Sequence, residues 1–202
     1  MRRKIIALVC ALSLMAPCAL AAGESYRDVP AGAWYAPAVE EMTEKGIMTG
    51  VGEGVFAPLD PVSRAAAVTV LWRMEGSPDA AGAAFADTEN IWYEQSAAWG
   101  GSTGIVSGYG DDTFRGDQPV TREELSAFLY RYAKMKGEPV AQGVLRLYSD
   151  ADKISPWAKE AVAHIVGAGI LQGSGGKLDP QGKANRAAMA VMLQRMLTPA
   201  MG

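Results

Sequence analysis

Residues 104–125 read GIVSGYGDDTFRGDQPVTREEL. A Gly-Ile pair opens the stretch, a glycine-rich turn with aromatics follows, and Thr121-Arg122-Glu123-Glu124 closes it. The close has the form of a capping box, in which the Thr hydroxyl takes the N–H three residues on and the Glu carboxylate reaches back. The apolar stripe Leu125, Phe128, Leu129 and Tyr132 then runs at helical spacing. Gly104 suits the left-handed residue just past a helix end, and Ile105 suits the hydrophobic contact that follows it. The stretch therefore reads as one helix ending, a loop, and a second helix beginning.

The same landmarks recur on either side. An aromatic (Tyr26, Phe85, Tyr148) stands two residues before an aspartate (Asp28, Asp87, Asp150). A tryptophan follows (Trp34, Trp92, Trp157), then a Gly-Ile pair (Gly46-Ile47, Gly104-Ile105, Gly169-Ile170), then an arginine (Arg64, Arg122, Arg186). Tryptophan to isoleucine spans 13 residues in every copy, and isoleucine to arginine spans 17, 17 and 16. Five landmarks at these offsets make a threefold repeat, and the one deletion falls in the glycine-rich turn.

Each copy predicts two helices. The first starts near the tryptophan; in the third copy Trp157, Ala161, Ile165 and Ala168 share a face. Gly100-Gly101 weakens the first helix of the second copy by about 1 kcal/mol per glycine. The second helix has N-cap residues Ser63, Thr121 and Asn185, with Ala66 and Ala188 where Glu124 stands. Its stripes are Ala67, Leu71 and Met74, the second-copy set above, and Met189, Met192, Leu193 and Met196. We expect these stripes to face one another as a shared core, since one such unit cannot bury its apolar face alone. The fold class expected is all-α, with units over 22–77, 78–138 and 139–202 packed as one domain.

Residues 1–21 precede the repeats. Arg2, Arg3 and Lys4, an apolar run, and Ala19-Leu20-Ala21 form a secretory signal peptide cut before Ala22. Both cysteines, Cys10 and Cys18, lie in it, so the mature chain has no disulfide or thiolate metal site. A lipid-modified Cys18 needs a small residue before it, and Pro17 fits badly. Without the leader, 16 Lys+Arg remain against 22 Asp+Glu, a formal net of −6. That balance argues against nucleic acid, and it means an anionic polymer must be held by a few placed cations.

The landmarks resemble the S-layer homology repeat, whose pattern runs roughly F-x-D-V, W-A, G-I-x-x-G-Y-x-D-G-T-F and I-T-R-A-E-F. The second copy carries "FAD", "GIVSGYGDDTF" and "VTREEL"; the first keeps "YRDV", "GIMTG" and "VSRAA". The third is the most eroded, with Leu178 for the loop aromatic and "ANRAA" at the helix start. The resemblance implies a pseudo-threefold body around a central three-helix bundle. It implies non-covalent anchoring of an exported protein, at the cell wall or S-layer, to secondary cell-wall polymer, often through pyruvylated glycan, or to peptidoglycan-linked glycan. It further implies that Arg64, Arg122 and Arg186, with the nearby aspartates, tryptophans and glycines, line grooves between repeats.

The chemistry suits that expectation. A ketal-linked pyruvate presents a carboxylate, which a guanidinium fork grips through two parallel bonds. Each arginine would sit at the positive end of a helix, a ready anion site. A tryptophan covers the apolar face of a sugar, and Gly50, Gly108 and Gly173 allow close approach. Structural readings stand beside these. Repeated tryptophans are commonly core, the aspartates can cap the first helix or close a turn, and the arginines can pair with acidic neighbours. By erosion of motif, the third copy is the least suited to bind.

The remaining signals are thin. "GYGDDTF" faintly resembles a calcium loop without the spaced ligands and terminal Glu. His164, the single histidine, aligns with Glu41 and Trp99, so we expect it at the surface or a groove edge. No catalytic motif, metal or cofactor is called for. Two other functions compete: a hydrolase built on an acidic pair, and a structural protein that assembles with itself or docks another exported protein. The second arises because the repeats follow the leader closely and run to Leu197, leaving no evident cargo.

Overall fold

The computed structural model describes residues 26–81 and 85–198; the leader expected over 1–21 lies outside them. The described residues are all-α. Their helices are α1 (Ala36–Glu44), α2 (Arg64–Met74), α3 (Glu94–Ser102), α4 (Arg122–Met135), α5 (Lys159–Gly167) and α6 (Arg186–Leu197). Among the described residues, none is long and apolar enough to cross a membrane.

The helix ends follow the local chemistry. Ser63 Oγ, Thr121 Oγ1 and Asn185 Oδ1 accept the N–H groups of Ala66, Glu124 and Ala188, at 3.1, 3.2 and 2.8 Å. Glu124 completes the box by accepting the Thr121 N–H at 2.8 Å. At the other end of the first helices, Gly46, Gly104 and Gly169 take φ of 66°, 73° and 72°. Gly46 and Ile47 donate back to Thr43 and Met42, and Gly169 and Ile170 to Val166 and Ile165, which closes a Schellman cap each time.

The repeats interlock cyclically. Val62 N–H donates to Ala184, Ala184 to Val120, and Val120 to Val62, at 2.9, 3.0 and 2.9 Å, which closes a ring of three hydrogen bonds. The second helix of each copy packs on the first helix of the next: α2 on α3, α4 on α5, α6 on α1. The second-helix stripes are buried except at their ends, where Met74 and Met196 are half-buried, and Leu71, Leu125, Leu129, Met189 and Leu193 lose all solvent exposure. Most of their helix-to-helix contact is with these first helices rather than with one another, which revises the expected packing. The ring of hydrogen bonds joins the segments that lead into the second helices, and each of these helices then lays its apolar stripe on the first helix of the next repeat.

Gly100 explains one such contact. A Cβ built there would lie 2.5 Å from Val68 Cγ2 and 2.9 Å from Val106 Cγ2. The glycine that costs helix propensity is what lets α3 approach α2.

His164 corrects an expectation. It is buried, 3% exposed, and its Nδ1 accepts the Ala141 N–H at 3.0 Å. The segment joining the second and third copies lies across α5, with Gly143 N–H donating to Ala163 at 2.8 Å. Here the histidine serves as an acceptor for a passing backbone, a role that repeat alignment cannot reveal. Burial lowers its pKa below the ordinary 6.5.

Candidate functional site

Each second helix is preceded by a loop that an aspartate holds. Asp28 accepts the N–H groups of Phe56 and Ala57 at 2.9 and 2.7 Å. Asp87 takes those of Phe114 and Arg115 at 2.6 and 2.7 Å, and Asp150 those of Leu178 and Asp179 at 2.9 and 2.8 Å. Each carboxylate therefore clamps a loop 27 to 29 residues onward and caps no first helix. Burial raises the Asp28 and Asp150 carboxyls, but the backbone donors and the nearby Arg27 and Lys153 outweigh it and leave both below 3.8.

The clamp fixes an unusual backbone. Ala57, Arg115 and Asp179, the second donor in each pair, sit at φ 56°, 55° and 52°. The preceding carbonyl is thereby turned toward the arginine of the previous copy in the cycle. Nε of Arg64, Arg122 and Arg186 donates to the carbonyls of Phe114, Leu178 and Phe56 at 3.0, 2.7 and 2.7 Å.

The arginines then diverge. Arg64 is 4% exposed, pairs with Glu124 at 3.2 Å and donates to Ser107 at 3.2 Å. Its guanidinium lies 5.1 Å from the Tyr109 and Phe114 ring centroids. Arg186 donates to the Thr49 carbonyl at 2.6 Å and lies 4.4 Å over the Phe56 ring. For the Arg122 guanidinium, the Nε bond is the single one among the described residues. Burial lowers its pKa, opposed by Asp179 and Asp150.

Two grooves are built on this plan. One, of about 310 Å³, is lined by Arg64, the second loop at Ser107 to Tyr109, α4 residues Glu124 and Arg131, and Trp157. The other, of about 810 Å³, is lined by Arg122, the third loop at Gln172 to Ser174, α6 residues Ala188 and Arg195, and Trp34. Each groove thus draws its arginine, its loop and its tryptophan from three different copies.

The tryptophans are exposed, 66%, 65% and 57% for Trp34, Trp92 and Trp157, which overturns the core reading. Trp157 accordingly leaves the face shared by the buried Ala161 and Ile165. Tyr93 takes the buried place beside Trp92, in edge contact at 5.1 Å. The loop glycines make room for the chain's own groups, and Gly108 and Gly173 also line the two grooves. A Cβ on Gly50 or Gly108 would meet Tyr26 at 2.7 Å or Phe85 at 2.8 Å, and one on Gly173 the Lys177 carbonyl at 2.3 Å. In "GYGDDTF", Thr113 and Arg115 occupy the Asp111 carboxylate, and their bonds hold it down at about 2.

A second set of arginines escaped the sequence reading. Arg131 and Arg195 donate to the Ile105 and Ile170 carbonyls at 3.2 and 3.1 Å and line the two grooves. The signal was present: Arg73, Arg131 and Arg195 each stand nine residues after a landmark arginine.

A family model described as the S-layer homology domain matches residues 25–68, 84–126 and 147–190. The S-layer protein EA1 of Bacillus anthracis is 28% identical over 172 residues, 84% of this chain and 20% of that protein. The S-layer protein of Bacillus licheniformis is 30% identical over 172 residues, 84% of this chain and 19% of that protein. An endoglucanase of Bacillus sp. (strain KSM-635) is 27% identical over 176 residues, 85% of this chain and 18% of the enzyme. The chain spans about a fifth of the length of these curated relatives.

Proposed function

The chain belongs to the S-layer homology domain family, and from that premise we propose that it is a non-catalytic module gripping pyruvylated secondary cell-wall polymer through the grooves between its repeats. Domains of this family anchor proteins to the cell wall, and the relatives place the chain at the cell surface. The endoglucanase shares with it a region amounting to 18% of the enzyme's length, which supports an anchoring role over a hydrolytic one. The leader over 1–21 and units over 22–77, 78–138 and 139–202 belong to the same reading.

One observation carries it: Arg122 and the exposed Trp34 line the same groove. A guanidinium with free terminal nitrogens and an exposed indole are what a sugar bearing a carboxylate needs. The guanidinium takes the charge and the indole the apolar ring face. The test is retention of the purified chain on cell walls before and after chemical removal of the pyruvyl group. Retention should fall steeply with the pyruvyl group gone. Equal retention on both walls overturns the carboxylate mechanism.

A further inference from the structure

We infer that the three arginine sites are unequal, and that the groove between Arg122 and the third loop is the one receptive to anions, taking a glycan segment with two or more negative groups. The ligand class rests on the wall-glycan reading above; the ranking of the sites rests on geometry and charge.

Occupancy of the guanidinium separates the sites. Arg64 is buried, neutralised by Glu124 and bonded at all three nitrogens. Arg186 is tied at two nitrogens to the carbonyls of Phe56 and Thr49. Among the described residues the Arg122 guanidinium is held by Nε alone, so its terminal nitrogens remain for a ligand. The acid that closes the Arg64 site has no counterpart here, because Ala188 stands where Glu124 does and lines this groove.

Charge points the same way. Arg122, Arg195, Lys153, Lys177 and Lys183 all line the Arg122 groove. Against them stand Asp150, whose two oxygens are taken by backbone N–H groups, and Asp179. Five cations against two carboxylates is a large local excess in a chain with a formal net charge of −3. The smaller groove has two arginines and Glu124. Such a concentration of one sign raises the local level of a polyvalent anion far more than that of a monovalent one. Eroded as a motif, the third copy thus supplies the wall of the best anion site.

The test follows the arginine Nε–H resonances of the whole chain, labelled with nitrogen-15, during titration with tripolyphosphate and with acetate. Tripolyphosphate should shift Arg122 at about tenfold lower concentration than Arg64 or Arg186, and acetate should shift none of them in that range. Equal response of the three arginines overturns the ranking. Calorimetry with a pyruvylated wall fragment adds the second arm. We expect one site per chain, weakened at least about tenfold by joint Lys153→Glu, Lys177→Glu and Lys183→Glu, all at exposed positions. Glu124→Gln, which keeps the capping box while freeing Arg64, should add a second site. A fragment that binds the lysine-reversed chain undiminished sinks the inference and leaves the glycan reading standing. A fragment that fails to bind while tripolyphosphate still selects Arg122 does the reverse.

Discussion

The Asp28 carboxylate holds the backbone N–H of Ala57 at 2.7 Å, and Ala57 sits at φ 56°. A left-handed alanine costs about 1–2 kcal/mol. The two charge-assisted bonds from Phe56 and Ala57 offset that cost, each contributing about 1.5–3 kcal/mol. Asp28→Ala should therefore lower the unfolding free energy by about 2–3 kcal/mol in urea, and Asp28→Asn, which keeps one acceptor, by less. A loss under about 0.5 kcal/mol, the level of an ordinary surface change, would show that the clamp is incidental.

The same clamps set an acid limit. Asp28 and Asp150 have folded pKa values below 3.8. Below that value the unfolded chain binds more protons than the folded one, so their contribution is fully present above 3.8. It is lost as pH falls through the lower folded values. The urea midpoint should drop below pH 3.8 in the parent chain and drop less in the double Asn variant, measured side by side.

Gly100→Ala pits propensity against packing. Alanine favours a helix by about 1 kcal/mol over glycine, but its Cβ would lie 2.5 Å from Val68 Cγ2. Packing should win, with a net destabilisation of about 1–3 kcal/mol. Val68→Ala makes room, so the double variant should recover part of the loss. Additive losses in that double-mutant cycle would refute the contact.

What was legible in the sequence was local or periodic. Ser63, Thr121 and Asn185 cap as their side chains dictate, and Gly46, Gly104 and Gly169 take the left-handed turn. The arginines, marked in the sequence only as a periodic landmark, each bind a loop carbonyl of another copy. Which loop each one reaches was not legible, because the repeat describes one copy and the cyclic exchange joins two. The tryptophans misled for a related reason. Period and size suggest burial, but Tyr93, next to Trp92, fills the buried place in the second copy. His164 could not be read at all, since its partner, Ala141, belongs to the connecting segment outside the repeat.

His164 predicts a second pH effect. Its folded pKa lies below 6.5, so stability is complete above 6.5 and lost as pH falls from there through the lower folded value. Protonation of Nδ1 would also break the Ala141 bond. The groups beside it are Tyr130, 5.0 Å away ring to ring, and Glu160, which accepts a hydrogen bond from the Tyr130 hydroxyl. The thermal midpoint should fall between about pH 7 and about pH 5. In His164→Asn, whose amide oxygen can accept in place of Nδ1, it should stay nearly flat. An equal fall in both proteins would assign the effect elsewhere.

Trp34 separates anchoring from folding most cleanly. It is 66% exposed, touches Tyr35 edge-on at 5.4 Å and lines the Arg122 groove. A tryptophan so placed contributes little to the core, so Trp34→Ala should change the unfolding free energy by no more than about 0.5 kcal/mol. Wall retention should nonetheless fall, because an aromatic face over a ligand is worth about 0.5–1.5 kcal/mol beyond the area it covers. Trp92→Ala should leave retention closer to the parent, since Trp92 does not line the Arg122 groove. Paired urea and wall-retention measurements on the two variants decide the matter. If Trp34→Ala unfolds the chain, its role is structural. If it leaves both stability and retention intact, the indole has no part in holding the wall.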